Sequence, residues 1–535
     1  MKKTLLLIFT LFTLIAVAQQ QTVSYSVSPT TFEENTAITI TINGSSINEA
    51  TWGVAGNALY LWAWAFDASG VTQKGTPNNG AWTASDEAAK FTYNSANDTY
   101  TKTFTPKTYY NTTGIGKIGF LIKAKDGTGD KKSQDILVAV GSFQVTLSSP
   151  VQNSTAIIAS GSDFNIAATN SNGNASYVLK SNGIILNSNS STASYSYTHS
   201  AIATNQNYEL IVTQGPTVIS KKFSVIVNPN TILEAMPAGL VDGINYNLAD
   251  ATKATLVLDA PLKDFVYVAG SFNNWNPTSA FAMKKDPVSG KFWLELTGLV
   301  SGENNSYQYW VVETTPIANS PALVKTADPY STLVLSPYDD AGIPNATYPN
   351  MPTYPSGQSF DVTVLKTGQT PYNWQTPNFV KPEKEKLVVY EALIRDFDSG
   401  RNFQSLIDRI DYFKNLKINA IQLMPVMEFE GNESWGYNTS FHMALDKFYG
   451  TSDKLKEFID LCHQNGIAVI LDVALNHAFG RNPMVRMWMN DPDGDGFGAP
   501  TSENPYFNMV AKHSYNVGED FNHQQARTQN YVQRV

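Results

Sequence analysis

The stretch at residues 466–477, which reads GIAVILDVALNH, constrains the fold of this chain more than any other. A continuous apolar run of this length is typical of a strand that is buried on both faces in a parallel sheet. The run carries three polar residues at its end, Asp472, Asn476 and His477. Since α/β enzymes place their reacting groups at the carboxyl ends of parallel strands, these three are candidate site residues.

From residue 386 onwards the chain alternates strands and helices, which is the pattern of βα units. We predict strands at 387–393, 420–424 and 466–477, separated by two helices, and a further helix at 524–535. Apolar residues at helical spacing place the first helix at 403–413 and the second at 455–462. We expect Ser452 or Asp453 to cap the second helix and Gly466 to adopt the left-handed conformation after it.

The chain before residue 386 consists of short β-rich runs separated by Gly, Asn, Thr and Pro turns. A length of 535 residues is too great for one core, so several domains are expected. We predict a β-sandwich at 22–147, an immunoglobulin-like spacer at 148–229 and a third β-rich domain at 230–365, followed by βα units at 386–535.

Residues 1–18 have the pattern of a signal peptide. Lys2 and Lys3 precede a short apolar run, and Ala16-Val17-Ala18 forms a cleavage site. This run is too short to span a bilayer, and no later stretch is long enough. We therefore expect an exported protein, whether periplasmic, on the cell surface or extracellular, without a transmembrane segment.

Charge and cysteine content exclude two classes of protein. The formal net charge is −9 and no basic stripe is present, which argues against a nucleic-acid partner. The single cysteine, Cys462, lies on the apolar face of a predicted helix, so the chain has no intramolecular disulfide and no cysteine-nucleophile motif.

The first predicted sandwich contains an aromatic strand in which Tyr60, Trp62, Trp64 and Phe66 share one face. This face is either the core of the sandwich, as the usual burial of aromatic residues favours, or a platform for sugar rings. Trp82, in a Gly- and Asn-rich loop, is the better candidate for an exposed stacking ring. The segment resembles the small starch-binding β-sandwiches of exported polysaccharide-utilisation proteins.

The third β-rich domain contains a strand that runs into the turn GSFNNW at 270–275. This pattern resembles carbohydrate-binding module family 48, which precedes the catalytic barrel in many α-amylase-family enzymes. The resemblance implies that Trp275 either stacks on a sugar or braces the barrel, and both alternatives stay open.

Three motifs follow the three predicted strands in order: YEALIRDF at 390–397, SWGYN at 434–438 and DVALNH at 472–477. Together they resemble the start of the catalytic (β/α)8 barrel of glycoside hydrolase family 13, the α-amylase family, on its pullulanase, isoamylase and branching-enzyme side. The fold class that we predict is therefore multidomain, with N-terminal β-sandwich modules followed by the first three βα units of a TIM barrel.

The resemblance implies a role for each matching residue. Tyr437 would stack on the sugar ring at the cleavage subsite, His477 would hydrogen-bond a hydroxyl of that sugar, and Asp472 would orient its neighbours. Asn476 matches a calcium ligand of the calcium-dependent members. With Trp82 and Trp275, these residues are the predicted substrate-binding set.

Glycoside hydrolysis needs two carboxyl groups across the scissile bond. In the family that the chain resembles, these follow the fourth and fifth strands, and no segment like Gly-Phe-Arg-x-Asp is present in this chain. We therefore expect the nucleophile and the acid/base to lie beyond Val535, in a longer gene product, and we expect the 535-residue chain to bind glucan without turnover.

The sequence at 491–496, DPDGDG, resembles the start of a calcium loop. Asp491, Asp493 and Asp495 supply alternating carboxylates, but Ser502 stands where a bidentate acid is expected. The alternative is an acidic turn in the long loop after the third strand. Calcium is the one predicted cofactor.

The leading hypothesis is an exported, retaining glycoside hydrolase that acts on α-1,4 or α-1,6 glucosidic bonds of starch, glycogen or pullulan. The first alternative is a non-catalytic glucan-binding surface protein that works through the β-sandwich modules. A structural surface protein without a ligand is the second alternative, and the three motifs after the strands argue against it.

Overall fold

The computed structural model describes residues 20–54, 56–67 and 73–535, so the predicted signal peptide lies outside the described residues. Two units divide these residues. Unit 1 runs to Ala156 and includes Gly161–Ile202 and Gln206–Val225, and unit 2 comprises Ile157–Ser160, Ala203–Asn205 and Ile226–Val535. Among the described residues, no helix has both the length and the apolar character that crossing a bilayer requires.

The first half of the chain is built mainly of strands. In chain order they are β1 (Tyr25–Ser28), β2 (Ile38–Asn43), β3 (Tyr60–Asp67), β4 (Gln73–Gly75), β5 (Gly80–Ala81), β6 (Ala84–Ser85), β7 (Thr92–Asn94), β8 (Thr99–Phe104), β9 (Ile115–Lys123), β10 (Ile136–Ala139), β11 (Val145–Ser149), β12 (Thr155–Ile158), β13 (Ser162–Asn170), β14 (Ala175–Ser181), β15 (Ile184–Thr192), β16 (Ser194–Ile202), β17 (Gln206–Gln214) and β18 (Thr217–Val227). Short helices are α1 (Glu49–Trp52) and α2 (Pro106–Tyr109), with 3-10 turns at Gly44–Ser46, Pro77–Asn79 and Glu87–Ala89.

These strands form antiparallel sheets. The orders β1-β2-β8-β7 and β10-β9-β3-β4 share one hydrophobic core, which makes them a sandwich. The alternation of apolar residues explains this packing, since Ile38, Ile40 and Ile42 of β2 are all fully buried in that core. Two further sheets have the orders β11-β13-β16 and β12-β18-β17-β14-β15.

The aromatic face of β3 does not form the core, so the favoured interpretation of this strand is wrong. Of its aromatic residues only Tyr60 belongs to the core cluster, which is otherwise built by the opposite face of the strand, including Leu61 and Ala63. Trp64 instead lies across Gly119 of β9, where a Cβ atom would meet its indole nitrogen at 2.1 Å. A glycine at 119 therefore makes room for an aromatic ring on the outer face of the sheet.

Unit 2 combines further strands with the longer helices. In chain order the strands are β19 (Gly243–Tyr246), β20 (Ala254–Leu258), β21 (Phe265–Gly270), β22 (Lys284–Lys285), β23 (Phe292–Leu296), β24 (Asn305–Val312), β25 (Leu323–Thr326), β26 (Val334–Leu335), β27 (Val362–Leu365), β28 (Val389–Ala392), β29 (Ala420–Leu423), β30 (Met427–Phe429), β31 (Thr439–Leu445), β32 (Ala468–Leu471), β33 (His477–Ala478), β34 (Met489–Asn490), β35 (Ala499–Pro500) and β36 (Glu519–Asp520). The helices are α3 (Ile394–Phe397), α4 (Phe403–Asp408), α5 (Ile410–Asn415), α6 (Ser452–Gln464), α7 (Pro483–Arg486) and α8 (Ala526–Arg534), with 3-10 turns at Ser271–Asn273, Ser279–Phe281, Asp340–Gly342 and Lys384–Lys386.

The β-rich part of unit 2 shares a core with the C-terminal segment. Its sheets have the orders β19-β20-β23-β22 and β21-β24-β27-β26, with β25 on β24. One buried cluster contains Leu256 and Leu294 of these sheets together with Trp488 and Tyr531. The indole of Trp488 donates to the carbonyl of Pro261 at 3.0 Å. The β-rich part therefore braces the segment that carries the three motifs.

The predicted βα units are present as a parallel sheet in the order β28-β29-β32. Val389, Ala420 and Ala468 are in register across it. The predicted first helix is divided into α4 and α5, because Arg409 leaves helical geometry between them. Its guanidinium donates to Asp398 at 2.8 Å.

Helix α6 begins one residue earlier than we expected. Thr451 is its N-cap, and the threonine hydroxyl accepts a hydrogen bond from the Lys454 amide at 3.2 Å. Neither Ser452 nor Asp453 caps it, since the turn at Gly450, with φ of +126°, comes immediately before Thr451. Gly466 takes the predicted left-handed conformation after the helix, with φ of +71°.

Strand β32 is not buried on both faces, which corrects the prediction for residues 466–477. Its residues are half-buried, and Leu471 and Val473 are each 43% exposed. The reason is its position: among the described strands β32 pairs with β29 alone and forms an edge of the sheet. An apolar run shows that a strand can be buried, but the fraction of the strand that is buried depends on whether other strands cover both of its sides.

Candidate functional site

The carboxyl ends of the parallel strands bring two of the three motifs together. Glu391 of β28 is in register with Gln422 of β29, whose amide donates to the Glu391 carboxylate at 3.4 Å. Asp472 follows β32 directly, and its amide donates to the Leu423 carbonyl at 2.9 Å. Parallel pairing therefore places one acid at the carboxyl end of each of two strands, β28 and β32, on the same side of the sheet.

Tyr437 reaches this edge from the hairpin of β30 and β31. Its hydroxyl donates to Asp472 Oδ2 at 2.7 Å, and this bond raises the pKa of Tyr437 to about 12 because the carboxylate holds the phenol proton. Gly436, with φ of +90°, makes the approach possible, since a Cβ atom there would meet the Pro425 carbonyl at 2.3 Å. The half-buried Tyr437 ring is thus held at a fixed position.

His477 is the third residue of this group, and it contacts the backbone of Tyr437. Its Nε2–H donates to the Tyr437 carbonyl at 2.5 Å. Nδ1 is buried and has no hydrogen-bond partner in the described part of the chain. His477 is 6% exposed, so a bond between Nε2 and a sugar hydroxyl requires this nitrogen to leave the carbonyl.

His442 of β31 is a site-supporting residue that the sequence did not reveal. Its Nε2–H donates to the carbonyl of Ala474, in the loop between Asp472 and His477, at 3.1 Å. Its other nitrogen lies 3.3 Å from the Tyr531 hydroxyl. Burial lowers the pKa of His442 to about 4, so the ring is neutral. The only available signal was a histidine between the apolar residues Phe441 and Met443.

The predicted calcium residues lie in two places. Asn476 is exposed, and its carbonyl accepts from the Phe521 amide at 2.9 Å. The carboxylates of Asp491, Asp493 and Asp495 lie together, with ligand oxygens within 4.8 Å of one another.

The carboxylate of Asp491 already closes its own loop. It accepts backbone amides of Gly494 at 2.9 Å, Asp495 at 3.1 Å and Gly496 at 3.0 Å. Calcium takes six to eight oxygen ligands, so these three carboxylates would supply only part of its donor set, and three loop amides already occupy acceptor positions of Asp491. Calcium binding stays a prediction.

Trp82, in unit 1, is half-buried rather than exposed. Its ring meets that of Trp62 edge to face, with centroids 5.0 Å apart. Lys123 Nζ lies 5.0 Å from the Trp82 centroid and donates to the Ser85 hydroxyl at 2.7 Å. Burial lowers the pKa of Lys123 to about 8. The aromatic pair thus lies on the outer face of β3, with a lysine beside it.

Trp275, in unit 2, packs against two buried clusters. One of them contains Tyr267 and Trp310, and the other contains Leu335 and Val362. Both clusters consist of residues before 386, so contact of the half-buried Trp275 with a sugar and its bracing of the barrel both stay predictions.

Ionic contacts, also missed from the sequence, tie the loops of the site to the β-rich part of unit 2. Arg481, four residues after His477, donates to Asp339 at 2.7 Å and to the Ser336 hydroxyl at 2.8 Å. Buried Lys447 bonds Glu428 and lies 3.3 Å from Asp340. Adjacent acids at 339–340 were the available signal, but nothing local identifies partners more than a hundred residues away.

An aromatic ring, a carboxylate and an imidazole therefore meet at one edge of a parallel sheet. Such a group can bind a neutral polyol, because the ring offers an apolar face and the polar groups accept or donate hydrogen bonds. Asp472 is engaged with Tyr437, which gives it an orienting role in this arrangement.

Comparison with known proteins identifies the segment that carries this site. Residues 392–530 match the family model of the alpha-amylase catalytic domain. The predicted resemblance to the α-amylase family is thereby confirmed for this segment.

The chain is also similar to curated proteins over parts of their length. The malto-oligosyltrehalose trehalohydrolase of Saccharolobus solfataricus is 37% identical over 106 residues, which cover 20% of this chain and 19% of that protein. The 1,4-alpha-glucan branching enzyme GlgB of Chlamydia muridarum is 30% identical over 234 residues, 41% of this chain and 27% of the enzyme. The chain spans less than a third of either relative.

Among solved structures, the pullulanase SAP of Group B Streptococcus is 17% identical with a TM-score of 0.39, and the match covers 73% of this chain and 52% of that one. A complex of maltotriose with the pullulanase of Anoxybacillus sp. LM18-11 is 19% identical with a TM-score of 0.38, and covers 71% and 55% of the two chains.

Proposed function

We propose that this protein is an exported, α-glucan-acting member of the α-amylase family, and that its glucan site is the group formed by Tyr437, Asp472 and His477. The observation that carries the proposal is the hydrogen-bonded contact of Tyr437 with Asp472 at the carboxyl ends of parallel strands. The family match of residues 392–530 supports it.

The chemistry of the group suits a pyranose ring. The C–H face of a sugar packs on an aromatic ring, and Asp472 and His477 fix the Tyr437 ring from its hydroxyl and from its backbone. Because these bonds hold the Tyr437 ring in one orientation, little ordering remains to be done on binding.

The proposed reaction is retaining hydrolysis of α-1,4 or α-1,6 glucosidic bonds of starch, glycogen or pullulan. It needs a nucleophile and an acid/base on either side of the scissile bond. Asp472 does not supply either group in this proposal, because it is bonded to Tyr437.

The finer fold assignments belong to the same proposal. The parallel strands β28, β29 and β32 would be the first three strands of a (β/α)8 barrel, and residues 230–365 would be a carbohydrate-binding module of family 48. Calcium at Asp491, Asp493 and Asp495 belongs to the proposal as well.

A second candidate function is that of a non-catalytic glucan-binding protein that works through unit 1. The outer-face pair of Trp62 and Trp82 favours it, because aromatic rings outside a core are suited to stacking on sugars.

Two assays on the purified chain test the proposal. In starch affinity electrophoresis we expect retarded migration, and reducing-sugar assays with starch and pullulan measure whether the bound glucan is also cleaved. Unretarded migration in starch would contradict the proposed function. Retardation that Trp82→Ala abolishes and Tyr437→Ala leaves intact would favour the second candidate.

A further inference from the structure

We propose that Tyr338 and Phe497 form a further glucan subsite, beside the group of Tyr437, Asp472 and His477. This inference rests on the proposed function. The subsite is a shallow depression of about 390 Å³ lined by Tyr338, Glu430, Gly480, Arg481 and Phe497, which we call the Tyr338 pocket.

Tyr338 is an exposed aromatic ring that is nevertheless held in place. It is 51% exposed, yet the Arg481 guanidinium lies 5.1 Å from its ring centroid and the Phe497 ring lies 6.0 Å away at 64°. A large exposed aromatic residue in a fixed orientation is suited to ligand contact, since little conformational entropy is lost on binding.

The backbone next to Tyr338 is anchored to both loops of the proposed glucan site. The Asp339 carboxylate accepts from Arg481 at 2.7 Å and from the Gly431 amide at 3.0 Å. Asn432 donates to the Asp339 carbonyl at 2.9 Å. Asp339, a residue of the β-rich part, is thus bonded to both loops that border the site.

Glu430 gives the pocket a polar group for hydroxyl recognition. Its Oε1 accepts from the Ser440 hydroxyl and the Arg481 amide, both at 2.9 Å, and its side chain remains 30% exposed. A carboxylate offers about four acceptor positions, so positions remain for sugar hydroxyls. Gly480 adds no side chain, and the space where its Cβ would stand is open.

The Tyr338 pocket and the Tyr437 group share the same two loops. Asn438, next to Tyr437, donates to the Glu430 carbonyl at 2.7 Å, and Arg481 follows His477 by four residues. Since the same two loops carry both places, we expect one oligosaccharide to contact both. The pocket combines an aromatic wall, an acid and an arginine that is paired with Asp339, and this combination suits a neutral polyol such as an α-glucan.

Calorimetric titration of the 535-residue chain with maltoheptaose and with maltose tests this subsite. For Tyr338→Ala we expect the Kd for maltoheptaose to rise by about fivefold to tenfold, because the variant loses the binding free energy of one aromatic contact. The Kd for maltose should stay unchanged, because a disaccharide does not span both places. Phe497→Ala should give the same pattern.

Two variants serve as controls. Tyr338→Phe keeps the ring and should bind maltoheptaose like the wild type, and Tyr515→Ala removes a tyrosine that is 96% exposed elsewhere. Unchanged maltoheptaose affinity in Tyr338→Ala and Phe497→Ala, or an equal loss for both sugars, would overturn the subsite and leave the proposed function standing. Absence of maltoheptaose binding by the wild-type chain would overturn both.

Discussion

At the scale of single residues, hydrogen bonds fix both the protonation and the position of the groups at the strand ends. Tyr437 is bonded to Asp472, and His477 holds the Tyr437 backbone through one nitrogen. His442 supports the loop between them from below. Each bond links a different strand or loop to the same short stretch, so the geometry of the group depends on all of them.

Replacing Asp472 by Asn should lower the pKa of Tyr437 from about 12 toward its ordinary value of 10.0, because the neutral amide no longer repels the phenolate. NMR titration of ¹³C-labelled tyrosine measures this change. Asp396→Asn, which alters an exposed acid bonded to Arg395, is the matched control and should leave Tyr437 unchanged. An unaltered Tyr437 titration in Asp472→Asn would show that the bond is not formed in solution.

Burial of His442 predicts a pH dependence of stability. Its pKa is about 4 in the folded chain and near 6.5 when unfolded, so between these values the unfolded chain binds the additional proton. The free energy of unfolding should therefore fall as the pH drops from 6.5 toward 4, by at most about 3 kcal/mol from this group.

Urea denaturation of the wild type and of His442→Gln at pH 7 and pH 4.5 measures this contribution. The variant should lose less stability on acidification than the wild type does. His513→Gln, at a side chain that is 40% exposed, should behave like the wild type. Equal pH dependence in the wild type and His442→Gln would contradict the assignment.

At the scale of elements, the strands and helices of the C-terminal segment follow closely from the sequence. Strands β28, β29 and β32 and helices α6 and α8 lie within or beside the predicted ranges, because apolar periodicity is a local property. The predictions that were wrong concern how each element packs against its neighbours. Burial of β32 depends on its neighbours, and the outer position of Trp64 depends on a glycine in the adjacent strand.

The same limit applies to the candidate site. Tyr437, Asp472 and His477 belong to the substrate-binding set that the resemblance to the α-amylase family implies, and the structure brings these three into contact. Asp339 and Arg481 were not predicted, since they are distant in sequence and neither is part of a motif. The sequence therefore indicated the centre of the site, whereas its rim depends on tertiary packing.

The buried Lys447 is the ionic link between β30 and the turn at 339–340. Lys447→Met should lower the free energy of unfolding by about 3–5 kcal/mol, because Glu428 and Asp340 are then buried without a cation. Chemical denaturation measures the loss. The double variant Lys447→Met/Glu428→Gln should recover part of it, since one uncompensated carboxylate is removed.

A surface pair provides the control. Lys454 and Glu457 form an ion pair whose side chains are 38% and 47% exposed, so Lys454→Met should change stability by less than about 1 kcal/mol. A loss in Lys447→Met no larger than that in Lys454→Met would show that the buried pair does not stabilise the fold.

At the scale of the whole molecule, each unit carries a proposed place for a glucan. Unit 2 joins a β-rich part and a parallel sheet through one core and through the contacts of Arg481 and Lys447. Unit 1 carries the outer-face pair of Trp62 and Trp82. We propose that the sugar binds in unit 2, at the group of Tyr437, Asp472 and His477.

Hydrogen–deuterium exchange of the 535-residue chain, with and without maltoheptaose, tests this claim most directly. We predict slower exchange in peptides that cover 434–440 and 472–481, because a bound sugar would stabilise the two loops that carry Tyr437 and His477. Protection confined to peptides of unit 1 around Trp82, or no protection anywhere at saturating maltoheptaose, would contradict it.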